Sequence, residues 1–298
     1  MRAVFSVGKV RVDKEIIQKK ALKLGISVTV CSVLMGCQSV PDTDALGNTR
    51  YQTSTQPSNK RNLDKQEIAR VRTALAAQYI RENKLDAAQQ QLEKAFAADS
   101  RYAPAYDMMG VLLQQEGSAI NLAKADEYFK KAIALDKDFE QARNNYGVYL
   151  SQMKRYSEAA AQFEIAGAAL GYDGRIGALE NLGRTYLQLN NKAAATKAFI
   201  RAMEGNRSSL IAHIELVDLL IEQNRILQAQ QLYDETLQLV QDKNSPRLLL
   251  QGIKLAAAQK DMVSRQKLSQ QLLSAYPLSD EAKKLKGWLA NPATATWR

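Results

Sequence analysis

Beyond residue 64 one arrangement of small and large apolar positions returns along the chain. Its core is an alanine, a large residue four places on, and a second small residue three places further. It reads Ala88/Leu92/Ala95, Ala125/Phe129/Ala132, Ala159/Phe163/Ala166 and Ala195/Phe199/Ala202, then weakens to Ala229/Tyr233/Thr236. Successive first alanines stand 37, 34, 36 and 34 residues apart. Ahead of each copy lies a partner set: Leu75-Ala76 with Tyr79, Met109-Gly110 with Leu113, Tyr146-Gly147 with Leu150, Leu182-Gly183 with Tyr186, and Leu216-Val217 with Leu220. Steps of three and four place each set on one face of a helix. Each period therefore predicts two helices, held close through their small residues. The helical region is expected to open at Asp64-Lys65-Gln66-Glu67, an Asp-x-x-Glu capping box.

A two-helix unit of about 34 residues carrying these positions resembles the tetratricopeptide repeat. The resemblance implies an all-α fold, a right-handed superhelix of about six repeats with a C-terminal capping helix and a concave groove. Small residues at the eighth position of the first helix (Gly110, Gly147, Gly183) let the second helix approach, and the alanine at position 20 does the same from the other side. The repeats are expected at 69–102, 103–139, 140–173, 176–209, 210–243 and 246–279 within a domain spanning 63–290. Extra residues are assigned to loops, three near Ser118–Asn121 and two near Asp173–Arg175. The sixth unit is degenerate. It begins with Ser245 as cap and Pro246 in the first turn, ends at Tyr276-Pro277, and is interrupted by Gly252 and Arg265. A helix over 279–290 is expected to cover the end of the stack with Leu285 and Trp288, leaving 291–298 as a tail.

The front of the chain follows other rules. Lys19-Lys20-Ala21-Leu22-Lys23 precedes an uncharged run over 24–36. Thirteen residues fall short of the roughly 20 apolar ones a bilayer-spanning helix needs; length and flanks fit a secretory signal over 1–36. Leu34-Met35-Gly36-Cys37 resembles a bacterial lipoprotein box. By that resemblance the chain is cut between Gly36 and Cys37, the Cys37 thiol takes a diacylglyceryl group, and the new amino terminus is acylated. Cysteine suits the step because its thiolate is a good nucleophile. The competing reading is an ordinary signal or anchor helix that contains a cysteine. Gln38 stands where an aspartate would retain the protein at the inner membrane, which implies the periplasmic face of the outer one. The protein is then anchored to a membrane and not embedded in it. Residues 38–62 are polar and hold Pro41 and Pro57; with the lipidated Cys37 they form a tether, with an r.m.s. span of roughly 25–30 Å as a flexible coil.

Composition narrows the chemistry. Of the formal charge of +10, residues 1–36 contribute +5, from seven Lys/Arg against two acids, so no strong basic excess survives their removal. No basic stripe interleaved with aromatics appears, which argues against nucleic acid. Cys31 lies in the signal and Cys37 is consumed by lipid, so the domain has no thiol for a disulfide, a Cys-based metal site or a nucleophile. His213 is the only histidine, and a packing role is favoured for it over a metal or catalytic one. Asp126/Glu127 and similar carboxylate pairs are read as solvated helix faces. No Gly-x-Ser-x-Gly, phosphate-cradling loop or His-Glu-x-x-His is present. The expectation is a protein without catalysis, metal, cofactor or small-molecule substrate, monomeric when free.

Binding is then the remaining work. Positions 2, 5, 9 and 12 of the first helix normally face the groove of such repeats. They are Pro104, Asp107, Val111 and Gln114 in the second repeat. In the third they are Gln141, Asn144, Val148 and Ser151, and in the fourth Gly177, Glu180, Arg184 and Leu187. Amides and small apolar groups suit a peptide, whose backbone the amides can hydrogen-bond. Asn145 and Asn181 are read as structural. Asn-Asn-Tyr-Gly (144–147), Lys-Arg-Tyr-x-Glu-Ala (154–159), Gln-Phe-Glu (162–164), the loop tyrosine Tyr172 and Ala-Leu-Glu-Asn-Leu-Gly (178–183) resemble the type IV pilus pilotin family, PilF or PilW. That resemblance implies an outer-membrane lipoprotein that binds the pilus secretin and helps it reach that membrane and assemble into a ring. The alternative within binding proteins is a repeat lipoprotein that regulates a peptidoglycan synthase or hydrolase.

Overall fold

Thirteen α-helices form among the described residues, which are 64–291 of a computed structural model. The signal, Gly36, Cys37, the tether and the tail beyond Asn291 lie outside the described residues. Six helix pairs follow one another: α1 (Lys65–Arg81) with α2 (Leu85–Ala98), α3 (Ala103–Glu116) with α4 (Ala119–Leu135), α5 (Glu140–Gln152) with α6 (Tyr156–Ala168), α7 (Arg175–Gln188) with α8 (Lys192–Gly205), α9 (Leu210–Glu222) with α10 (Ile226–Leu239), and α11 (Pro246–Ala258) with α12 (Met262–Ala275). A last helix, α13 (Asp280–Ala290), closes the series. Each helix packs on the next. First helices of neighbouring repeats also touch, α1 with α3, α3 with α5, α5 with α7 and α9 with α11. The protein is an all-α tetratricopeptide-repeat stack.

The small and large positions do what their spacing predicts. Phe129, Phe163 and Phe199 are buried, and each ring lies against the glycine of the facing helix. A Cβ built on Gly110, Gly147 or Gly183 would stand 2.9, 2.6 or 2.5 Å from a ring carbon, closer than carbon atoms tolerate. Ala88, Ala125, Ala159, Ala195 and Ala229 are wholly buried on the opposite side. The resulting core runs from Ala69 to Leu219, with a second cluster around Val217, Tyr233 and Leu255 and a third around Ile253, Leu272 and Leu285.

The turn inside each repeat repeats as well. One residue adopts a left-handed conformation between the two helices: Asn83, Gly117, Lys154, Asn190, Asn224 and Lys260. Asparagine and glycine accept that region most readily. In five of the six turns the next amide donates back to the carbonyl five residues earlier, as Lys84 N does to Tyr79 O and Asn191 N to Tyr186 O, each at 2.8 Å. This 6→1 bond satisfies a carbonyl that the helix end would otherwise leave bare.

Three expectations change in detail. Asp64 caps α1 by accepting from Gln66 N at 3.3 Å, but Glu67 pairs with Arg70 instead of completing a capping box. The extra residues of the second repeat do not form a loop. Gly117 turns, Ser118 caps by accepting from Asn121 N, and the surplus lengthens α4 to 17 residues. Ser245 stands at the N-cap of α11, yet its side chain makes no cap hydrogen bond, and Pro246 occupies the first turn. In the sixth repeat Arg265 stands where an alanine is expected and lies over the Trp288 ring, 5.3 Å from its centroid. With Leu285 and Ala282 buried beneath it, α13 covers the end of the stack.

Candidate functional site

The first helices supply the inner face, and its chemistry starts with a ladder between repeats. The sixth-position side chain of one repeat reaches back to the fifth position of the repeat before. Asn145 donates through Nδ2 to both carboxylate oxygens of Asp107, at 3.1 and 2.9 Å, and Asn181 Nδ2 lies 3.5 Å from Asn144 Oδ1. Gln251 continues the pattern by donating to Ile214 O at 2.7 Å. Asn145 and Asn181 thus hold repeats together.

Asp107 is fully buried. It was expected to face a partner; instead Asn145 and the helices around it seal it beneath the groove. Burial pushes its carboxyl up to about 7, against the pull of the Asn145 hydrogen bond. Above it, Gln141 donates to Asn145 Oδ1 at 2.9 Å and accepts from the Tyr172 hydroxyl at 3.0 Å. Burial, with the nearby charges of Asp107 and Glu140, raises that hydroxyl to about 12, so it stays protonated.

Two adjoining hollows lie over this ladder. One, of about 430 Å³, is lined by Val111, Gln114, Gln115, Asn145, Val148 and Gln152. The other, of about 200 Å³, is lined by Val148, Ser151, Tyr156, Phe163, Asn181, Arg184, Thr185 and Gln188. Val148 belongs to both. Five of the expected groove residues are therefore brought together: Val111, Gln114, Val148, Ser151 and Arg184. The others have different placements. Gln141 and Asn144 are half-buried and engaged in the ladder, and Glu180 accepts from the Ser209 hydroxyl at 2.6 Å. Leu187 is half-buried and packs against the core. Pro104 is half-buried and Gly177 exposed.

Gln115, Gln152 and Gln188 were missed. All three hold the thirteenth position of their repeats, and that recurrence was a readable signal. Gln114 donates to Gln152 at 2.7 Å, and Gln115 reaches back to Asn83 at 2.9 Å, so amides link the rims of successive repeats.

Farther along, the inner face is ionic. Arg247 makes paired bonds to Glu215 at 3.1 and 2.7 Å and a third to Asp218 at 3.3 Å, and Lys254 meets Asp218 at 2.9 Å. Burial works against the Arg247 charge, but its hydrogen bonds and the charges of Glu215 and Asp218 outweigh it and hold the guanidinium above its ordinary range. Asp126, expected on a solvated face, is half-buried and accepts from Lys130, Arg155 and Tyr146. Burial raises its carboxyl, and those three donors more than reverse the effect. His213 is buried, with Nδ1 2.8 Å from Ser209 O. Among the described residues no group of three His, Cys, Asp or Glu is placed to hold a metal, and no helix is long and apolar enough to cross a membrane.

The tetratricopeptide repeat family matches residues 176–207, within the fourth repeat. The type IV pilus assembly protein PilF of Pseudomonas aeruginosa is 32% identical over 203 residues, 68% of this chain and 79% of PilF. This chain belongs to the PilF/PilW family. A solved structure of P. aeruginosa PilF superposes with a TM-score of 0.67 at 30% identity, covering 75% of this chain and 98% of that one. PilW, described as a widely conserved type IV pilus biogenesis factor, shares the fold with a TM-score of 0.62 at 22% identity, over 74% of this chain and 99% of PilW. The PilF/PilW match accords with the all-α repeat stack built above from residues 64–291.

Proposed function

We propose that this protein is a lipid-anchored escort in type IV pilus biogenesis. Its groove holds a segment of the pilus secretin, and the acyl chains on Cys37 commit the pair to the periplasmic face of the outer membrane. Concentrating secretin subunits on that surface favours ring assembly, as tethering does generally. The work is binding alone, by a protein that is monomeric when free and needs no cofactor beyond its diacylglyceryl and N-acyl groups.

The observation that carries this reading is the similarity to a type IV pilus assembly protein across 79% of that protein's length. Two further features support it. The hollows over Val111, Val148 and Arg184 present amides and small apolar surface to a chain, and Gly36-Cys37 supplies the sequence for an anchor.

The test is Cys37→Ala in a piliated strain. Folding should be unaffected, secretin monomers should remain at the inner membrane, and rings should disappear from the outer one. Normal rings in that strain would overturn the escort reading. Co-purification of a wall synthase or hydrolase with piliation intact would favour the peptidoglycan alternative instead.

A further inference from the structure

The two hollows are lined by amides, hydroxyls, aromatic and aliphatic groups, and by one formal charge, Arg184. That charge is incompletely matched. Its side chain is 49% exposed, and its ion pair to Glu215 spans 3.6 Å. Glu215 is meanwhile held by two shorter bonds from Arg247. A guanidinium has five donors in a planar fork suited to a carboxylate, so Arg184 retains donors for an incoming group.

Beside it stands Val148, an exposed aliphatic chain at the seam of both hollows. An apolar seat and a lone cation lie on neighbouring first helices, α5 and α7. Packed helix axes are about 8–10 Å apart, a distance an extended chain covers in about three residues.

We propose that the groove takes an acidic peptide segment that rests an aliphatic side chain on Val148 and pairs a carboxylate, about three residues away, with Arg184. This rests on the reading of the groove as a polypeptide-binding surface and specifies what that polypeptide presents. The amides of Gln114 and Gln152 serve the segment's backbone, and the valine and arginine select its side chains. Because the cation is half-exposed, the contact weakens as salt is raised.

The experiment pans phage-displayed random dodecapeptides against the immobilised full chain, then measures synthetic versions of the enriched peptides. Enriched sequences should carry Asp or Glu about three residues from Val, Ile or Leu. Replacing that carboxylate by its amide should weaken binding about five- to tenfold. Arg184→Gln should cost the acidic peptide the same factor and leave the amide peptide unchanged, while Arg184→Lys restores most of the loss. Helicity of each variant, read by circular dichroism, guards against a folding defect.

Enrichment without an acidic position, no enrichment at all, or an Arg184→Gln loss shared equally by both peptides would overturn the proposal. Secretin co-purification is scored separately. A secretin retained with no dependence on Arg184 sinks this inference and leaves the escort reading standing. Acid-dependent peptide binding without secretin retention supports the inference and removes the escort reading.

Discussion

The inner face has two halves built on one scaffold. Across the second to fourth repeats it is made of amides and valines over two open hollows, with a single half-exposed arginine. Across the fifth and sixth it is closed by Arg247, Glu215, Asp218 and Lys254, which satisfy one another. Both halves use the sixth position to reach back one repeat. They differ in the residue placed there: the amides of Asn145 and Asn181 hold two helices and leave surface for a ligand, whereas the carboxylate of Glu215, with Asp218 beside it, draws in Arg247 and Lys254, which fill the space. The same repeat thus becomes a receptor or a brace according to a few inward residues.

Removing what supports the receptor half should have the largest effect. Phe163 fills the gap beside Gly147 and backs the smaller hollow. Phe163→Ala should destabilise the protein by about 3–5 kcal/mol in urea unfolding, because the site collapses only in part. A smaller cost would mean that neighbouring repeats carry the groove without this ring.

Next is the contrast between carboxylates. Asp107 faces an amide and is pushed up to about 7, while an unfolded aspartate titrates near 3.8. Between those values the folded state holds a proton that the unfolded state has lost. Its stabilising share is complete below the lower pKa and is lost as pH rises through the upper one. Asp107→Asn should flatten the decline in stability between pH 4 and 8, by on the order of 2–4 kcal/mol. Asp126→Asn should produce no such flattening, because that carboxyl is held below its ordinary range and stays ionised throughout. A wild-type stability that does not fall over that range would refute the assignment.

A smaller difference separates the two kinds of inter-repeat link. Glu215→Ala frees Arg247 from its paired bonds and should cost about 1–2 kcal/mol, allowing for the arginine's partial exposure. Asn181→Ala gives up only a 3.5 Å contact and should cost under about 0.5 kcal/mol. Equal costs in thermal melts would erase the distinction between brace and receptor. Smallest of all is Val148→Ser, expected to change stability by less than about 0.5 kcal/mol while reducing secretin co-purification. Unchanged retention would take Val148 out of the binding surface.

Much of this was legible in the order of residues. Alanine, phenylalanine and glycine at fixed intervals located the helices and their packing, because close approach is possible only where side chains are small. The lengthened α4 was not, since a surplus of residues can enter a loop or a helix and Ser118 is compatible with either. Asp107 was misplaced for a related reason. Register alone turns position five inward, but whether it meets a ligand or lies sealed depends on Asn145 from the next repeat. The ionic half was hidden because Arg247 and Glu215 are 32 residues apart and meet only through stacking. The left-handed asparagines at the turns, and the glutamines at position 13, recur at the repeat spacing and could have been read.

The joint between the third and fourth repeats combines unequal fastenings. On the inner side its links, Asn144 to Asn181 and Ser151 to Thr185, span 3.5 Å each. From one second helix to the next, Arg201 grips Glu164 at 2.6 Å. Between these two edges α6 and α7 pack more extensively than any other pair of neighbouring helices from different repeats, with Leu179 lying against Gly167, so the joint is firm and its slack is confined to the inner rim. A chain seated on Val148 would therefore meet a stiff bed with adjustable amides at its edge, and its capture would leave the curvature of the array unchanged.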